Sequence, residues 1–177
     1  MLFRSLKSKK NRIILRQKEM LAAGKQFKSL LNGVIEQDAD SQSDQASEFR
    51  TVTRRTPDTQ ETSAMVFASR ICMDTKSNAI VLARDGQLLA SGVGQTSRVD
   101  ALRQGILKAV SFGMDLKGAV MASDAFFPFP DCVEIAAAAG ITSILQPGGS
   151  VKDQDSVDAC DQRGLAMVMT GRRHFLH

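Results

Sequence analysis

From residue 57 onward the apolar positions follow two alternating periods. Behind Pro57, Asp58 or Thr59 stands where a helix cap is expected, and Met65, Ala68 and Cys72 recur at helical spacing. SNAIVLA (Ser77 to Ala83) is a short apolar run of the buried-strand kind. Asp85-Gly86 is a tight-turn signal, and QLLASGV is the returning strand. Ser97 or Asp100 opens a helix with Leu102, Ile106, Ala109 and Val110 on its apolar side, ending before Gly113. AVMAS (Ala119 to Ser123) reads as a strand. Asp131 begins an Ala-rich helix that stops at Gly140. ITSILQ is a strand, PGGS a turn, Asp153 to about Gly164 a helix, and LAMVMT the last strand. The order from residue 77 is strand–strand–helix–strand–helix–strand–helix–strand. That alternation predicts a layered α/β domain whose sheet is mostly parallel after the first hairpin.

The first 56 residues have a different texture. Residues 1–35 mix basic and apolar positions, with short strands expected at Ile13 to Leu15 and at Phe27 to Ile35, the latter containing a glycine. Glu36 to Glu48 is acidic and lacks large apolar residues, so it reads as a surface loop or linker. The chain is therefore divided into a segment 1–56 and a domain 57–177.

Composition narrows the class. At 177 residues the chain can bury one core and carry a tail. No apolar run approaches the ~18 residues of a membrane span. MLFRSLKSKKNRIILRQK lacks the apolar core of a secretory signal, and a mitochondrial presequence is disfavoured, so a cytoplasmic protein is expected. Cys72, Cys132 and Cys160 are odd in number and form no CxxC pair, while His174 and His177 both lie in the last four residues. Free thiols and no zinc are expected.

Net charge is +4, concentrated in Arg4, Lys7, Lys9, Lys10, Arg12, Arg16 and Lys18. Such a patch could meet RNA or an anionic surface, but a solvated helix face or a frayed end is the preferred reading. No stacking aromatics are interleaved with it, and neither nucleic acid nor membrane is expected as a partner.

The unusual residues cluster after strands, where α/β sheets bind ligands. Ser123 to Asp131 holds three Phe and two Pro in a stiff loop flanked by Asp residues. It can grip a flat heterocycle, or fold into the core or a subunit interface. Pro147-Gly148-Gly149-Ser150 can bring amides to an anion, or be an ordinary turn capped by Ser150 or Asp153. Arg98 follows Gly94-Gln95-Thr96-Ser97 and is either an oxyanion partner or a surface arginine. Arg172-Arg173-His174 follows a strand directly, as a phosphate contact or a frayed terminus, and a free imidazole there could do acid–base work.

In order, KSNAIV, GQTSRVDALR, MASDAFFPFPD, GIT-ILQPGGS and MT-RRHF-H resemble the closing section of the bifunctional AICAR formyltransferase/IMP cyclohydrolase family. LLNGVIEQDAD resembles a segment that family places further upstream. The likeness covers most of the chain from Phe27 and is strongest from Lys76.

It implies a three-layer mixed sheet with helices on both faces, a cytidine-deaminase-like subdomain of the transformylase fold. It implies transfer of a formyl group from 10-formyltetrahydrofolate, the co-substrate, to AICAR to give FAICAR. It implies that Asn78 meets the AICAR base, Arg98 its carboxamide, Phe126 the same pocket and Arg173 the phosphate. Val99, Asp131, Ser150 and Val151 would contact the folate. Pro130 and Cys132 depart from the family pattern, on the folate side.

The family's upstream Lys-His pair has no counterpart here, since this sequence contains no Lys-His dipeptide. The cyclohydrolase domain and the HxE and PCxxC zinc elements of deaminases have no counterpart either. The resemblance implies a homodimer, or association with a missing transformylase half, and exposed apolar surface in its absence. The alternative is a non-catalytic nucleotide-binding or assembly module.

Overall fold

The computed structural model describes residues 24–176, together with Asn11, Ile13 and Lys18. Apart from those three residues, the expected strand at Ile13 to Leu15 and the basic run of the first 20 residues lie outside the described part. The chain forms two compact units, Met1–Ala39 and Asp40–His177.

In the first unit the stretch expected as one strand is a hairpin. β1 (Lys25–Leu30) pairs antiparallel with β2 (Gly33–Asp38), Leu30 opposite Gly33. Asn32-Gly33 is the reason, because both residue types favour a chain reversal over extended pairing. Lys25 and Glu36 form an ion pair across it.

The second unit is a three-layer α/β domain. Its elements are β3 (Arg50–Thr51), α1 (Thr59–Met73), β4 (Ile80–Arg84), β5 (Gln87–Gly92), α2 (Arg98–Ser111), β6 (Val120–Ser123), α3 (Asp131–Ala138), β7 (Ser143–Gln146), α4 (Asp153–Arg163) and β8 (Ala166–Met169). The sheet order is β3-β8-β7-β6-β4-β5. β6, β7 and β8 are parallel, while β4 is antiparallel to both β5 and β6, and β3 to β8. The expected mixed sheet is therefore present, with parallel pairing confined to three strands.

Strand alternation sorts the core. In β4, Ile80 and Leu82 face a core shared with α2, α3 and α4. Val81 and Ala83 face the other way, onto Ala64, Met65, Ala68 and Cys72 of α1. Both faces of the sheet are covered, which explains the unbroken apolar runs of the central strands.

Local chemistry sets the ends. Asp58 caps α1 in a reciprocal box with Glu61, each side chain receiving the other residue's amide. Ser97 caps α2 through the amide of Asp100. Asp85 and Gly86 both have positive φ, 51° and 72°, as a two-residue hairpin turn requires. Gly92 ends β5 where α2 crosses it, and a Cβ there would stand 1.7 Å from the Ala101 carbonyl oxygen.

Two further expectations are corrected. Val110 is 68% exposed rather than part of the buried side of α2. At 3.6 residues per turn it rotates away from the Leu102–Ala109 line. The acidic stretch Glu36 to Glu48 is not a plain surface loop. Its first residues finish β2, a short 3₁₀ turn spans Ala46–Glu48, and Asp44 is only 1% exposed. Asp44 is buried because it has partners: the Ser69 hydroxyl donates to it at 2.6 Å, and Arg172 and His174 reach it as well.

Candidate functional site

Topology brings five segments to one edge of the sheet. Ile80 at the start of β4 is opposite Gly92 at the end of β5 and Ser123 at the end of β6. Gln146 at the end of β7 is opposite Met169 at the end of β8. So 76–79, 93–97, 124–130, 147–152 and 170–176 all emerge on the same side, at the carboxyl ends of the parallel strands.

A cleft of about 510 Å³ opens there, lined by Asn78, Arg98, Val99, Phe129 and Asp131 among others. Asn78 is held at its wall by Gln95. Its Nδ2 donates to the Gln95 carbonyl at 2.8 Å, and the two main chains also pair at 3.3 and 3.4 Å. The Ser77–Asn78 peptide is cis. Arg98 and Val99 occupy the first turn of α2, placed by the Ser97 cap. Asp131 opens α3, where its Oδ1 accepts the Cys132 amide at 2.8 Å.

Asp124 links these parts. Its carboxylate is fully buried and lies 3.4 Å from Arg98 Nη2. Neither of its carboxylate oxygens receives a hydrogen bond from the described residues, so the pairing is ionic. Its amide donates to the Ala79 carbonyl, and its carbonyl accepts from the His174 amide at 2.9 Å. One residue thus ties the Asn78 strand, the α2 start and the C-terminal tail together. As a flanking Asp of the loop it was expected to face a ligand's N–H groups, and no local signal in the sequence marks its link to Arg98.

Phe126 and Arg173 meet each other rather than line the cleft. The Arg173 guanidinium stands 4.8 Å over the Phe126 ring, a cation–π contact. Gly149 faces that guanidinium, since a Cβ there would be 3.5 Å from Arg173 Nη2. Ser150 and Val151 do not line the cleft. Ser150 Oγ accepts the Lys152 amide, and Val151 is fully exposed. Lys152, their neighbour, lies 4.6 Å over the ring of Phe129.

The Gly-Gly amides are engaged within the chain. Gly149 donates to Asp153 Oδ2 at 2.7 Å and Gly148 to the buried Gln146 Oε1 at 3.3 Å. This favours the capped-turn reading of PGGS over an open anion nest. Gln146 also accepts from the Phe127 amide, joining two of the loops, and nothing in the strand pattern marked it out.

His174 is not free. It is 2% exposed, with Nδ1 2.5 Å from Asp40 and Nε2 3.0 Å from Asp44. The signal was present as Asp40 and Asp44 at a spacing of four in the acidic stretch, but its partner is 130 residues away.

The three thiols are buried. Burial pushes the thiols of Cys132 and Cys160 up to about 12 and raises that of Cys72 well above its ordinary value, so none is poised as a nucleophile. Among the described residues, no group of three or more His, Cys, Asp or Glu could hold a metal ion, and no helix is long and apolar enough to cross a membrane.

A second cavity, about 310 Å³, lies at the amino ends of β6 and β7 and includes Arg55, Glu61 and Thr142. Its polar groups serve the fold. Glu61 accepts from Arg55 at 2.7 Å and from the Thr142 hydroxyl at 2.6 Å.

The family model described as AICARFT/IMPCHase bienzyme matches residues 2–108. The chain belongs to this bienzyme family. It is 60% identical over 172 residues to the bifunctional purine biosynthesis protein PurH of Bacteroides thetaiotaomicron, covering 97% of this chain and 34% of that protein. It is 52% identical over 129 residues to PurH of Aquifex aeolicus, covering 73% and 26%. PurH of Chloroflexus aurantiacus is 48% identical over 174 residues, covering 97% and 34%. The chain thus spans about a third of the length of these bienzyme relatives. Among solved structures, the dCMP deaminase of cyanophage S-TIM5 in apo form superposes with a TM-score of 0.46 at 18% identity, over 64% of this chain and 98% of that one. That likeness is too loose to carry any argument about chemistry.

Proposed function

We propose that this member of the bienzyme family forms one wall of an AICAR formyltransferase site. There a formyl group passes from 10-formyltetrahydrofolate to the amine of AICAR. The observation that carries this reading is the convergence of the five segments at one sheet edge, with Asp124 linking the strand of Asn78, Arg98 and the tail of Arg173.

Asn78 and Arg98 would meet the imidazole carboxamide in the cleft. Arg173, steadied by Phe126, would take the phosphate at its edge. Asp131 would accept from the pterin N–H groups beside Val99, since a carboxylate accepts and a pterin edge donates. Ser150 and Val151 would touch folate only at the outer rim.

The AICAR amine is conjugated and a poor nucleophile. Its attack needs proton removal and an oxyanion partner. The described residues of this wall offer binding groups, and its imidazole is engaged by Asp40 and Asp44, so the proton-handling groups would come from another wall. This chain would be the second, cytidine-deaminase-like subdomain of the transformylase, working in the cytoplasm without zinc.

Calorimetry with AICAR tests binding, and a formyl-transfer assay with both substrates tests chemistry. AICAR should bind and Arg173→Ala should weaken it, with negligible turnover by the chain alone. Absence of AICAR binding would overturn the reading, and robust turnover without another chain would overturn the division of labour.

The partner in this reading is another transformylase half. Leu107 and Val110, 71% and 68% exposed, share the outer side of α2, and Phe112, 69% exposed, follows at its end; such a partner would cover this apolar surface.

A further inference from the structure

His174 sits between two carboxylates, and elementary bonding decides its state. A neutral imidazole has one N–H and one lone pair. Here both ring nitrogens face carboxylate oxygens, Asp40 Oδ2 at 2.5 Å and Asp44 Oδ2 at 3.0 Å. A lone pair directed at either would repel it, so the geometry calls for two N–H groups and a positive ring.

The surroundings are charged on every side. Segment 40–48 contributes Asp40, Asp44 and Glu48. The tail contributes Arg172, which reaches Asp44 at 3.2 Å and Glu48 at 3.3 Å. α1 contributes the Ser69 hydroxyl to Asp44 and the buried Cys72 thiol, which feels both Asp44 and Asp124. Across the tail stand Asp124 and Arg98.

On the other side of His174 the main chain is stitched to the site. Its amide donates to the Asp124 carbonyl at 2.9 Å, and Leu176 pairs with Ser77, whose amide donates to the Leu176 carbonyl at 3.0 Å.

We infer that His174 is a positioning residue. Its ring, gripped by Asp40 and Asp44, holds the 172–176 tail against Asp124, and so sets where Arg173 and the Arg98–Asp124 pair stand at the nucleotide end of the site. This rests on the proposed AICAR site. It gives the acidic segment a role that no strand-end loop supplies, and it makes nucleotide affinity depend on one proton.

Burial alone would lower the imidazole's pKa, but the bonds to Asp44 and Asp40 outweigh it and raise it above the ordinary 6.5. A group whose folded value is raised contributes fully below its unfolded value. That contribution is lost as pH rises through the folded value. Above it, a lone pair would face a carboxylate, the clamp would open and Arg173 would lose its support.

The chain has two histidines, so the ring nitrogens of His174 can be followed by ¹⁵N NMR in the full chain while AICAR affinity is measured by calorimetry across pH. The ring should be doubly protonated at neutral pH. Kd for AICAR should rise above the folded pKa, approaching about tenfold per pH unit, as release of one proton requires. Asp40→Asn removes one carboxylate at the more accessible end of the clamp and should move that rise to lower pH. His174→Gln should bind more weakly with a flattened profile.

A ring that titrates at or below its ordinary value would overturn the inference and leave AICAR binding standing. So would an Asp40→Asn profile superimposable on that of the unaltered chain. Failure to bind AICAR at any pH would overturn the site reading and this inference with it.

Discussion

Arg98 Nη2 lies 3.4 Å from Asp124 Oδ1, joining the first turn of α2 to the loop that leaves β6. The carboxylate is fully buried and the arginine side chain is 15% exposed, so water screens the pair poorly. A buried pair adds little net stability over an apolar substitute, but removing one partner strands the other charge.

Asp124→Asn keeps the shape and removes the charge. It should cost about 3 kcal/mol, at the lower end for a broken buried pair. Denaturant unfolding should show this as a shifted midpoint with an unchanged slope. Arg98→Ala should cost a similar amount, and the double variant less than the sum of the two. Strict additivity would mean that the two groups do not interact.

Gly92 gives a second expectation, about packing. A Cβ there would stand 1.7 Å from the Ala101 carbonyl oxygen and 2.4 Å from its carbon. These are backbone atoms of α2, so no side-chain rotation relieves the clash. Gly92→Ala should therefore displace the start of α2 and cost about 3 kcal/mol, the upper range for overpacking. Thermal unfolding reads the stability loss. Near-ultraviolet dichroism would not report it well in a chain without Trp or Tyr, so the α2 shift is better followed by amide chemical shifts of residues 97–105.

Much of this fold was legible because period and punctuation agree. The eight elements from residue 77 appear in the expected order. Asp58, Ser97, Asp85-Gly86 and Gly164 act where their local chemistry places them. What was illegible depends on distant partners. β3 is two polar residues long and exists only because Arg50 and Thr51 find β8. Asp44 looked like a solvated acid, and its burial is decided by Ser69, Arg172 and His174, each remote in sequence. Asn32-Gly33 carries the signal of the hairpin, but the apolar run continues across it and reads as one strand.

The site divides in the same way. Asn78, Arg98, Val99 and Asp131 do share a cleft, but it was the family resemblance, not periodicity, that named them. Asp124 and Gln146 join the loops, and neither carries a local signal of that duty.

Glu61 leads to a pH expectation at the acid end. Burial alone would raise its carboxyl. Hydrogen bonds from Thr142, Arg55 and the Asp58 amide outweigh that and hold it down at about 2, from 4.5. A depressed folded value means that its contribution is complete above pH 4.5 and is lost as pH falls toward 2. Glu61→Gln should remove that part of the acid sensitivity and lower stability near neutrality by about 2 kcal/mol, because Arg55 loses its charged partner and the capping box weakens. Unfolding free energies at pH 7 and pH 3 would check it. An unaltered acid profile in the variant would show that other carboxylates dominate.

The outer face of α2 sets the last expectation. Leu107 and Val110 are three residues apart and therefore neighbours on the helix surface, and Phe112 follows at its end. Three large apolar side chains, each about two-thirds exposed, are more than the scattered hydrophobes of an ordinary surface. The buried side of the same helix, Leu102 and Ala109, already serves the core, so the outer face adds nothing to the fold of this unit. Removing its apolar area should leave unfolding stability within about 0.5 kcal/mol, as for ordinary surface changes. Left uncovered, the face should drive concentration-dependent association of the isolated chain. The Leu107→Lys, Val110→Glu double variant should suppress that association in light scattering, and should also lose any partner that the unaltered chain captures through this face. A monodisperse monomer at high concentration, or a variant that associates as strongly as the original, would remove α2 as the contact surface.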